Sequence, residues 1–274
     1  MVFRDLRFRR FVFFLFLGIV FALCSCKTVP KNSEGLWHPV CAGVDRMDLK
    51  GMEKSQKFSV VRLDLRKGNF IPVAYHNSFD DEGRVFPVSV KTAARETSAV
   101  VAINATPFSS ISKWNVFAKV IPLGLVYSDN VLHSFPLERY CAAVFTKSSD
   151  GIRCKILETQ REFTKFLANE DECQVLCALG GYWVILNNGK YGDFKKIKDY
   201  RCALGTSENG ALVYLLFGKN ASFIDCAVIL EKLGCDDAMQ FDGGSSACLF
   251  VENEGKVCRK IDRPVATVLC FCSF

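Results

Sequence analysis

Short apolar runs recur along this chain and predict many β-strands separated by a few helices. The segment from Phe58 to Arg66 alternates apolar and polar residues in its second half, which is typical of a half-buried strand. Gly68-Asn69 comes next and predicts a hairpin turn. Further strands are predicted at 70–74, 99–103, 122–127, 141–146, 152–157, 175–186, 201–204, 211–217, 237–241, 247–251 and 265–272.

One helix is predicted from Ser222 to Leu233, where apolar residues recur at helical spacing. Ser222 and Asp225 have the spacing of a capping box, and Gly234 gives the stop signal. Two more helices are predicted near 88–97 and 160–168. The pattern therefore predicts an α+β fold, a single domain of mixed or mainly antiparallel β-sheet with flanking helices.

Length and composition fit one enzyme-sized domain. Half of the 274 residues are hydrophobic, which is enough for a large core, and no long linker or internal repeat divides the chain. We place this domain at 51–274. The formal net charge of +6 is spread along the chain, and four arginines lie within the first ten residues, so nucleic-acid binding is not indicated.

The N-terminus has the pattern of a targeting segment. Four arginines precede an uncharged stretch of thirteen residues from Phe11 to Leu23, which suits a signal-peptide core and is short for a stable membrane span. Leu23-Cys24-Ser25-Cys26 resembles a bacterial lipobox. We therefore expect a lipoprotein signal peptide at 1–25, a lipid on Cys26, and a tether and lead-in at 26–50. Cys24 is not the usual small residue at its lipobox position, so a plain secretory signal or an uncleaved anchor stays open.

This targeting segment predicts attachment to a bacterial cell membrane on its extracytoplasmic side.

Twelve further cysteines remain, and an even number outside the cytoplasm permits disulfides. Most of them, such as Cys226 and Cys270, lie in apolar runs, which favours reduced cysteines that act as small hydrophobes. Without a C-x-x-C pair and with three histidines, no metal site is predicted.

The run from Met239 to Ala247 is the strongest candidate for chemistry. Asp242 stands between a short apolar strand and a turn with little side-chain bulk. The glycines Gly243 and Gly244 let the main chain approach a ligand, and N–H groups together with the hydroxyls of Ser245 and Ser246 can converge on an anionic oxygen. A tight hairpin in which Asp242 bonds its own backbone is the alternative.

Other motifs occur in a fixed order around this turn. They are Ala102-Ile103-Asn104, Arg201-Cys202-Ala203-Leu204-Gly205, Leu233-Gly234-Cys235-Asp236-Asp237-Ala238, the Asp242 turn itself, and Arg263-Pro264-Val265. Their order and spacing resemble the phosphodiester glycosidase family over about residues 55–272. One departure concerns Asn104-Ala105-Thr106, where the family has Asn-Gly-Gly, and it implies either a differently shaped pocket or a loss of activity.

The resemblance implies a glycosidase that hydrolyses a sugar-1-phosphodiester of the N-acetylglucosamine-1-phospho type in an extracytoplasmic glycan or glycolipid. A phosphate monoester is a good leaving group, so the site needs cations and N–H donors for the phosphate and a carboxylate on the sugar side. Asp242 is the expected carboxylate, and Asn104 the second catalytic residue. Arg201, Arg263 and the turn from Gly243 to Ser246 are expected to bind phosphate.

Several alternatives stay open. Arg201 could instead pair with Glu208, Arg263 with Asp262, and Asn104 could cap a strand end. Phe108 and Trp114 are candidates for a sugar-stacking wall or for plain packing. The competing classes are a lipoprotein that binds an anionic glycan without hydrolysing it and a structural surface lipoprotein. No cofactor and no protein partner are expected.

Overall fold

Antiparallel β-sheet makes up most of the described chain. The computed structural model describes residues 36–110, 118–168, 173–253, 255–258 and 262–273. Its strands are β1 His38–Cys41, β2 Val44–Lys50, β3 Lys57–Asp64, β4 Phe70–Tyr75, β5 Ala99–Asn104, β6 Phe108–Ser110, β7 Val120–Pro122, β8 Val126–Ser128, β9 Val131–Ser134, β10 Ala142–Ser148, β11 Gly151–Leu157, β12 Gln174–Gly180, β13 Val184–Asn187, β14 Lys190–Tyr191, β15 Asp199–Ser207, β16 Leu212–Ala221, β17 Asp237–Gln240, β18 Cys248–Val251, β19 Gly255–Cys258 and β20 Val268–Ser273. The helices are α1 Val90–Glu96, α2 Glu162–Ala168 and α3 Phe223–Lys232.

Three large sheets organise these strands. The eight-stranded sheet has the order β1-β2-β3-β16-β15-β17-β13-β14. One five-stranded sheet, which we call the β10 sheet, has the order β11-β10-β12-β8-β9. The other, which we call the β5 sheet, has the order β19-β18-β5-β20-β4. Strands β6 and β7 form a separate pair. The predicted α+β class with mainly antiparallel sheet is confirmed.

The main core lies where the three large sheets meet. Its buried side chains include Leu215 and Phe241 from the eight-stranded sheet and the segment after it, Ile103 and Phe271 from the β5 sheet, and Phe145 from the β10 sheet. Helices cover the outer faces: α3 packs on the eight-stranded sheet, α1 on the β5 sheet and α2 on the β10 sheet. Burying one face of each sheet in a shared core fixes the register of the strands.

All three predicted helices are present. The capping box of α3 is formed, because the Ser222 hydroxyl accepts from the Asp225 N–H while the Asp225 carboxylate accepts from the Ser222 N–H. Ser89 caps α1 in a similar way through the N–H of Thr92. Local signals at the ends of the helix were therefore sufficient to place α3.

Three expectations about strands were wrong. Gly68-Asn69 is not a hairpin turn, because β3 belongs to the eight-stranded sheet and β4 to the β5 sheet. The strand predicted at 175–186 is divided between two sheets as β12 and β13. The main chain between β12 and β13 passes close to the end of β17, since a Cβ on Gly181 would lie 2.5 Å from the Gln240 carbonyl oxygen. The strand predicted at 122–127 is likewise divided, into the end of β7 and the start of β8.

The domain also begins earlier than residue 51. Strands β1 and β2 pair with β3 in the eight-stranded sheet, so residues 38–50 are part of the fold rather than a lead-in. The predicted signal peptide and Cys26 lie outside the described residues. Among the residues that are described, no helix is both long and apolar enough to cross a membrane.

Most of the described cysteines are core residues, as the sequence indicated. The eleven whose side chains are described are all free, and eight of them are buried, including Cys226 and Cys270. Burial raises the pKa of several of these thiols, to about 12 for both Cys226 and Cys270. A thiol with so high a pKa is a poor nucleophile, and these cysteines therefore serve as packing groups.

Candidate functional site

The Asp242 turn lies where the chain leaves the eight-stranded sheet. Strand β17 pairs with β15, and the chain continues alongside β15 when the Phe241 N–H donates to the Cys202 carbonyl at 2.9 Å. The Phe241 side chain is fully buried in the main core. Asp242 follows it, half-buried, and its N–H donates to the Ala105 carbonyl at 3.0 Å. The turn therefore joins the end of β17 to the end of β5.

This turn is not a hairpin. β17 belongs to the eight-stranded sheet and the following strand β18 to the β5 sheet, so the turn connects two sheets. The Asp242 carboxylate does bond its own backbone, because Oδ1 accepts from the Gly243 N–H at 2.9 Å. A short 3₁₀ turn, Gly244–Ser246, follows directly.

Each of the two glycines is required for its own reason. A Cβ on Gly243 would lie 2.9 Å from the Tyr200 carbonyl oxygen, too close for any side chain. Gly244 has a φ of +60°, in the left-handed region that glycine adopts without strain. Hydrogen bonds within the turn use the N–H groups of Gly243, Ser246 and Ala247. The N–H groups of Gly244 and Ser245 find no acceptor in the described part of the chain and can donate to a ligand.

Burial controls the ionisation of Asp242. Loss of hydration raises the pKa of its carboxyl group, while the Ser246 hydroxyl, the Gly243 N–H and the positive charge of Arg263 act in the opposite direction. The Asp242 charge in turn adds to burial in raising the pKa of Tyr182 to about 12. Tyr182 is therefore a neutral phenol at neutral pH. It lies close enough to Asp242 for the carboxylate charge to disfavour ionisation of the phenol.

Asn104 holds the Asp242 turn through two side-chain hydrogen bonds. Its side chain is fully buried, with Nδ2 donating to the Asp242 carbonyl at 2.8 Å and Oδ1 accepting from the Cys248 N–H at 2.9 Å. The catalytic role that we expected of Asn104 stays a prediction. The side chain faces the backbone of the turn and positions it.

Arg263 lies at the open side of the turn. Its Nη1 donates to the Ser245 hydroxyl at 2.6 Å, and its guanidinium carbon lies 5.2 Å from the centre of the Phe108 ring. Asp262, the alternative partner, accepts from the N–H groups of Val90 and Lys91 at the start of α1. The arginine side chain is thus directed toward the serine that was predicted to bind phosphate.

Arg201 is also beside the turn but is anchored. Its Nε and Nη2 donate to the carbonyls of Ala221 and Ile197, at 3.2 and 2.9 Å, and its guanidinium stacks on Phe223 at 4.3 Å. Nη1 lies 3.7 Å from the point that a Cβ on Gly243 would occupy. Glu208, its alternative partner, pairs with Arg66 instead. Two of its three nitrogens thus already have main-chain partners, and the phosphate-binding role expected of Arg201 stays a prediction.

Sequence reasoning missed an aromatic group beside Asp242. Tyr140 packs edge-on against both Tyr182 and Trp183, with ring centres 5.5 Å apart in each case. The main chain of this pair is bonded to β17, because Tyr182 N–H donates to the Gln240 carbonyl and Gln240 N–H to the Trp183 carbonyl. Only the sheet pairing brings Tyr182 and Trp183 to a strand position two residues from Asp242. The predicted Trp114 lies outside the described residues.

A second carboxylate was also missed. Asp199 Oδ2 lies 3.3 Å from the point that a Cβ on Gly244 would occupy, at the exposed edge of the turn. Nothing in the sequence around Asp199 indicates this contact, because it arises from the pairing of β15 with the segment that follows β17.

The Asn104-Ala105-Thr106 departure is accommodated without strain. Neither Ala105 nor Thr106 has a positive φ, and both side chains are buried. The Thr106 N–H donates to the Thr267 hydroxyl at 3.0 Å, and the Ala105 N–H to the Thr267 carbonyl at 3.2 Å. Glycine is therefore not needed for the backbone here, and the extra side-chain volume is packed inward.

Comparison with known proteins identifies the family and supports the fold. A family model described as phosphodiester glycosidase matches residues 97–272, which include Asn104, Arg201, Asp242 and Arg263. A search of curated proteins found no significant match.

Three solved structures share the fold. The catalytic domain of zebrafish N-acetylglucosamine-1-phosphodiester alpha-N-acetylglucosaminidase, auto-inhibited by its pro-peptide, has a TM-score of 0.60 at 15% identity, over 86% of this chain and 85% of that one. A hypothetical protein from Synechocystis has a TM-score of 0.55 at 14% identity, over 85% and 64%. A putative exported protein from Burkholderia pseudomallei has a TM-score of 0.54 at 10% identity, over 79% and 74%. Because the family model covers more than half of the chain, the protein belongs to the phosphodiester glycosidase family, whose activity is hydrolytic.

Proposed function

We propose that this protein hydrolyses the bond between the anomeric carbon of a sugar, of the N-acetylglucosamine type, and the oxygen of a phosphodiester. The zebrafish relative is named for that linkage. The observation that carries the proposal is one turn that holds a half-buried carboxylate, Asp242, beside a hydroxyl that is bonded to an arginine, Ser245 with Arg263.

The phosphate fits the open side of this turn. Arg263 offers a fixed positive charge with further N–H donors, and the N–H groups of Gly244 and Ser245 are available in the same turn. Charge-assisted bonds of this kind favour the negative charge that collects on the leaving phosphate as the glycosidic bond breaks. Arg201 adds positive charge behind Gly243 while staying attached to main-chain carbonyls.

The sugar fits between Asp242 and the aromatic side chains. Tyr182 and Trp183 supply ring faces of the kind that pack against pyranose C–H groups, and the neutral Tyr182 phenol can donate to a sugar hydroxyl. Asp242 in its ionised form either stabilises the positive charge that develops at the anomeric carbon or attacks it, or it removes a proton from the incoming water.

In the proposed hydrolysis, one bond breaks and one bond forms at the anomeric carbon. The bond from the anomeric carbon to the phosphate oxygen breaks, and its electron pair leaves with the phosphate monoester as an anion. Water supplies the hydroxyl at the anomeric carbon, and its proton goes to solvent by way of a base. Because the leaving phosphate needs no strong acid, the half-buried carboxylate of Asp242 can be sufficient for the hydrolysis.

The experiment uses Asp242→Asn with Asp236→Asn as the matched control. Asp236 is an exposed carboxylate in the turn after α3, so its variant removes the same charge away from the Asp242 turn. Released reducing sugar is measured with a synthetic N-acetylglucosaminyl phosphodiester. We expect the Asp242 variant to lose roughly a hundredfold or more in turnover while its affinity stays near that of the parent. Equal rates for all three proteins would place the chemistry elsewhere.

A binding protein without turnover is the second candidate. The buried Ala105 and Thr106, in place of two glycines, favour it, because they change the volume next to the Asp242 turn. The same assay decides between the two functions. A parent protein that binds the phosphodiester in calorimetry and releases no sugar would be the binding protein.

We also propose that the domain acts outside the cytoplasm, held to a bacterial membrane by a lipid on Cys26. The basic N-terminus, the apolar stretch and the lipobox-like Leu23-Cys24-Ser25-Cys26 support this location. Two or more acyl chains on the new N-terminus would make the attachment durable. A glycan or glycolipid of the cell envelope would then be within reach of the site.

A further inference from the structure

A basic cleft of about 480 Å³ opens at the end of the eight-stranded sheet where the Asp242 turn also lies. We call it the lysine cleft. Side chains from β2, β3 and β16 and Tyr200 at the start of β15 line it. Its charged residues are Arg46, Lys50, Lys57, Lys219 and Asp48, four basic and one acidic.

The three lysines lie in register across neighbouring strands. Lys50 is directly opposite Lys57, and Lys57 is directly opposite Lys219. Directly opposed residues point to the same face with Cβ atoms about 5 Å apart, and like charges in this arrangement destabilise a sheet. Within the described part of the chain, no carboxylate pairs with any of the three. The sheet thus carries a row of positive charge that an anionic ligand would stabilise.

The one acidic residue of the lysine cleft is occupied elsewhere. Asp48 is bonded to Arg46 Nη2 at 3.2 Å and accepts from the Ser59 hydroxyl. The Arg46 side chain is largely buried, at 13% exposure, whereas the Asp48 side chain is 64% exposed and is held by these two bonds. The three lysines are exposed as well.

The lysine cleft and the Asp242 turn share one end of the sheet. Lys219 is on β16, Tyr200 begins the neighbouring β15, and Gly243 follows β17 beyond it. The Tyr200 ring packs on Phe217 in the cleft at 6.0 Å, and its carbonyl lies against Gly243. Neighbouring strands are about 4.8 Å apart. Lys219 is two strands from the turn and therefore lies about 10 Å from it, and Lys57 and Lys50 each lie about 5 Å further away.

We infer that the lysine cleft binds a second phosphate group of the substrate, one that lies further along the chain that leaves with the first phosphate. The inference rests on the proposed function for the first phosphate, which the Asp242 turn would hold. The preferred substrate is then a chain with repeated phosphodiesters and small polyol or sugar units, rather than a single sugar phosphodiester. Tyr200 and Phe217 supply an apolar wall for the carbon atoms between two phosphates.

The test removes the row of charge. The variant carries Lys50→Gln, Lys57→Gln and Lys219→Gln, and the control carries Lys147→Gln, Lys165→Gln and Lys232→Gln, three exposed lysines on β10, α2 and α3. Both proteins lose the same net charge. Because the first variant removes repulsion across the strands, we expect its thermal midpoint to equal or exceed that of the parent, so that lost binding cannot be ascribed to unfolding.

Inorganic tripolyphosphate is the probe in calorimetry at low salt. We expect the parent and the control to bind it alike and the cleft variant to bind at least about tenfold more weakly, with affinity falling as salt rises. In kinetics, we expect the cleft variant to raise KM for a substrate with several phosphodiesters while kcat/KM for a single sugar phosphodiester is unchanged. Equal tripolyphosphate affinity for all three proteins would overturn the inference.

The two proposals fail in different ways. If tripolyphosphate binding depends on the three lysines but neither substrate is hydrolysed, the function proposed for Asp242 is wrong and the lysine cleft stands as an anion site. If both substrates are hydrolysed and the cleft variant does not discriminate between them, the site stands and the second phosphate does not bind in the cleft.

Discussion

The side-chain amide of Asn104 donates a 2.8 Å hydrogen bond to the main-chain carbonyl of Asp242, although 138 positions separate the two residues. The same side chain accepts from the Cys248 N–H on the far side of the turn. One buried asparagine therefore holds the start and the end of the turn and links them to the end of β5. A fixed backbone at this point fixes the direction of the Asp242 carboxylate.

Replacing Asn104 should therefore weaken both stability and turnover. Asn104→Ala removes the side-chain donor to the Asp242 carbonyl and the oxygen acceptor of the Cys248 N–H in a buried site, at a cost of about 2 to 4 kcal/mol in the free energy of unfolding. We expect kcat to fall more than KM rises, because the carboxylate is displaced while Arg263 is untouched. Urea denaturation and initial rates measure the two effects.

Asn187→Ala is the matched control for this variant, since Asn187 makes an exposed side-chain bond to Glu158. We expect it to change stability by less than about 1 kcal/mol. An Asn104→Ala protein with the stability and rate of the parent would show that the bridge is dispensable.

The pH dependence of activity should report the ionisation of Asp242. Burial raises its pKa, so the carboxylate forms, and activity appears, at a pH above the usual aspartate value of about 3.9. Arg263 lowers that pKa by its charge, and Arg263→Gln should move the acid limb of kcat/KM to higher pH. A pH–rate profile of both proteins is the measurement. An acid limb at or below about 3.9 in the parent would contradict the raised pKa of Asp242.

Variants of Arg263 and Arg201 should differ in whether substrate binding or thermal stability is lost. Arg263 is exposed and bonded to Ser245, so Arg263→Ala should raise KM about tenfold or more with no change in thermal midpoint. Arg201 is bonded to two carbonyls and stacked on Phe223, so Arg201→Ala should lower the thermal midpoint and affect KM less. Calorimetric melting and initial rates on both variants decide. The reverse order would restore Arg201 as the main phosphate ligand.

Sequence reasoning placed the elements that are determined by short-range signals. The capping box of Ser222 and Asp225 identified α3, and the strand predicted at 237–241, observed as β17, followed from an apolar run ahead of Asp242 and two glycines. These signals depend on neighbours within a few residues. The motifs of the family likewise identified the turn itself.

Contacts between distant strands could not be predicted in this way. Gly68-Asn69 has the composition of a hairpin turn, but β3 finds its partners in β2 and β16. The anchoring of Arg201 and the approach of Tyr182 to Asp242 both depend on which strands lie beside β15 and β17. Buried pairing of this kind is decided by the whole core rather than by local composition.

The lipid anchor can be tested on the full chain. Cys26→Ser removes the thiol that would carry the lipid, so we expect it to leave unprocessed precursor or to release a soluble product. Partition into a detergent phase measures the change, with Cys41→Ser, an exposed cysteine of β1, as the control. A processed Cys26→Ser protein that still enters the detergent phase would show that the lipid is elsewhere or absent.

The stability of the fold should depend on the charge of Asp242. A carboxyl group whose pKa is raised by folding stabilises the protein below the unfolded pKa of about 3.9, and this stability is lost as the pH rises through the folded pKa. At pH 7 the ionised, half-buried carboxylate therefore costs stability. Asp242→Asn keeps an oxygen acceptor for the Gly243 N–H and removes the charge, so we expect a higher thermal midpoint than the parent at pH 7 and a smaller difference near pH 3.5. Asp236→Asn, exposed, should show no such pH-dependent gain. A lower midpoint for Asp242→Asn at pH 7 would mean that the ionised carboxylate stabilises the turn, and that Arg263 outweighs burial.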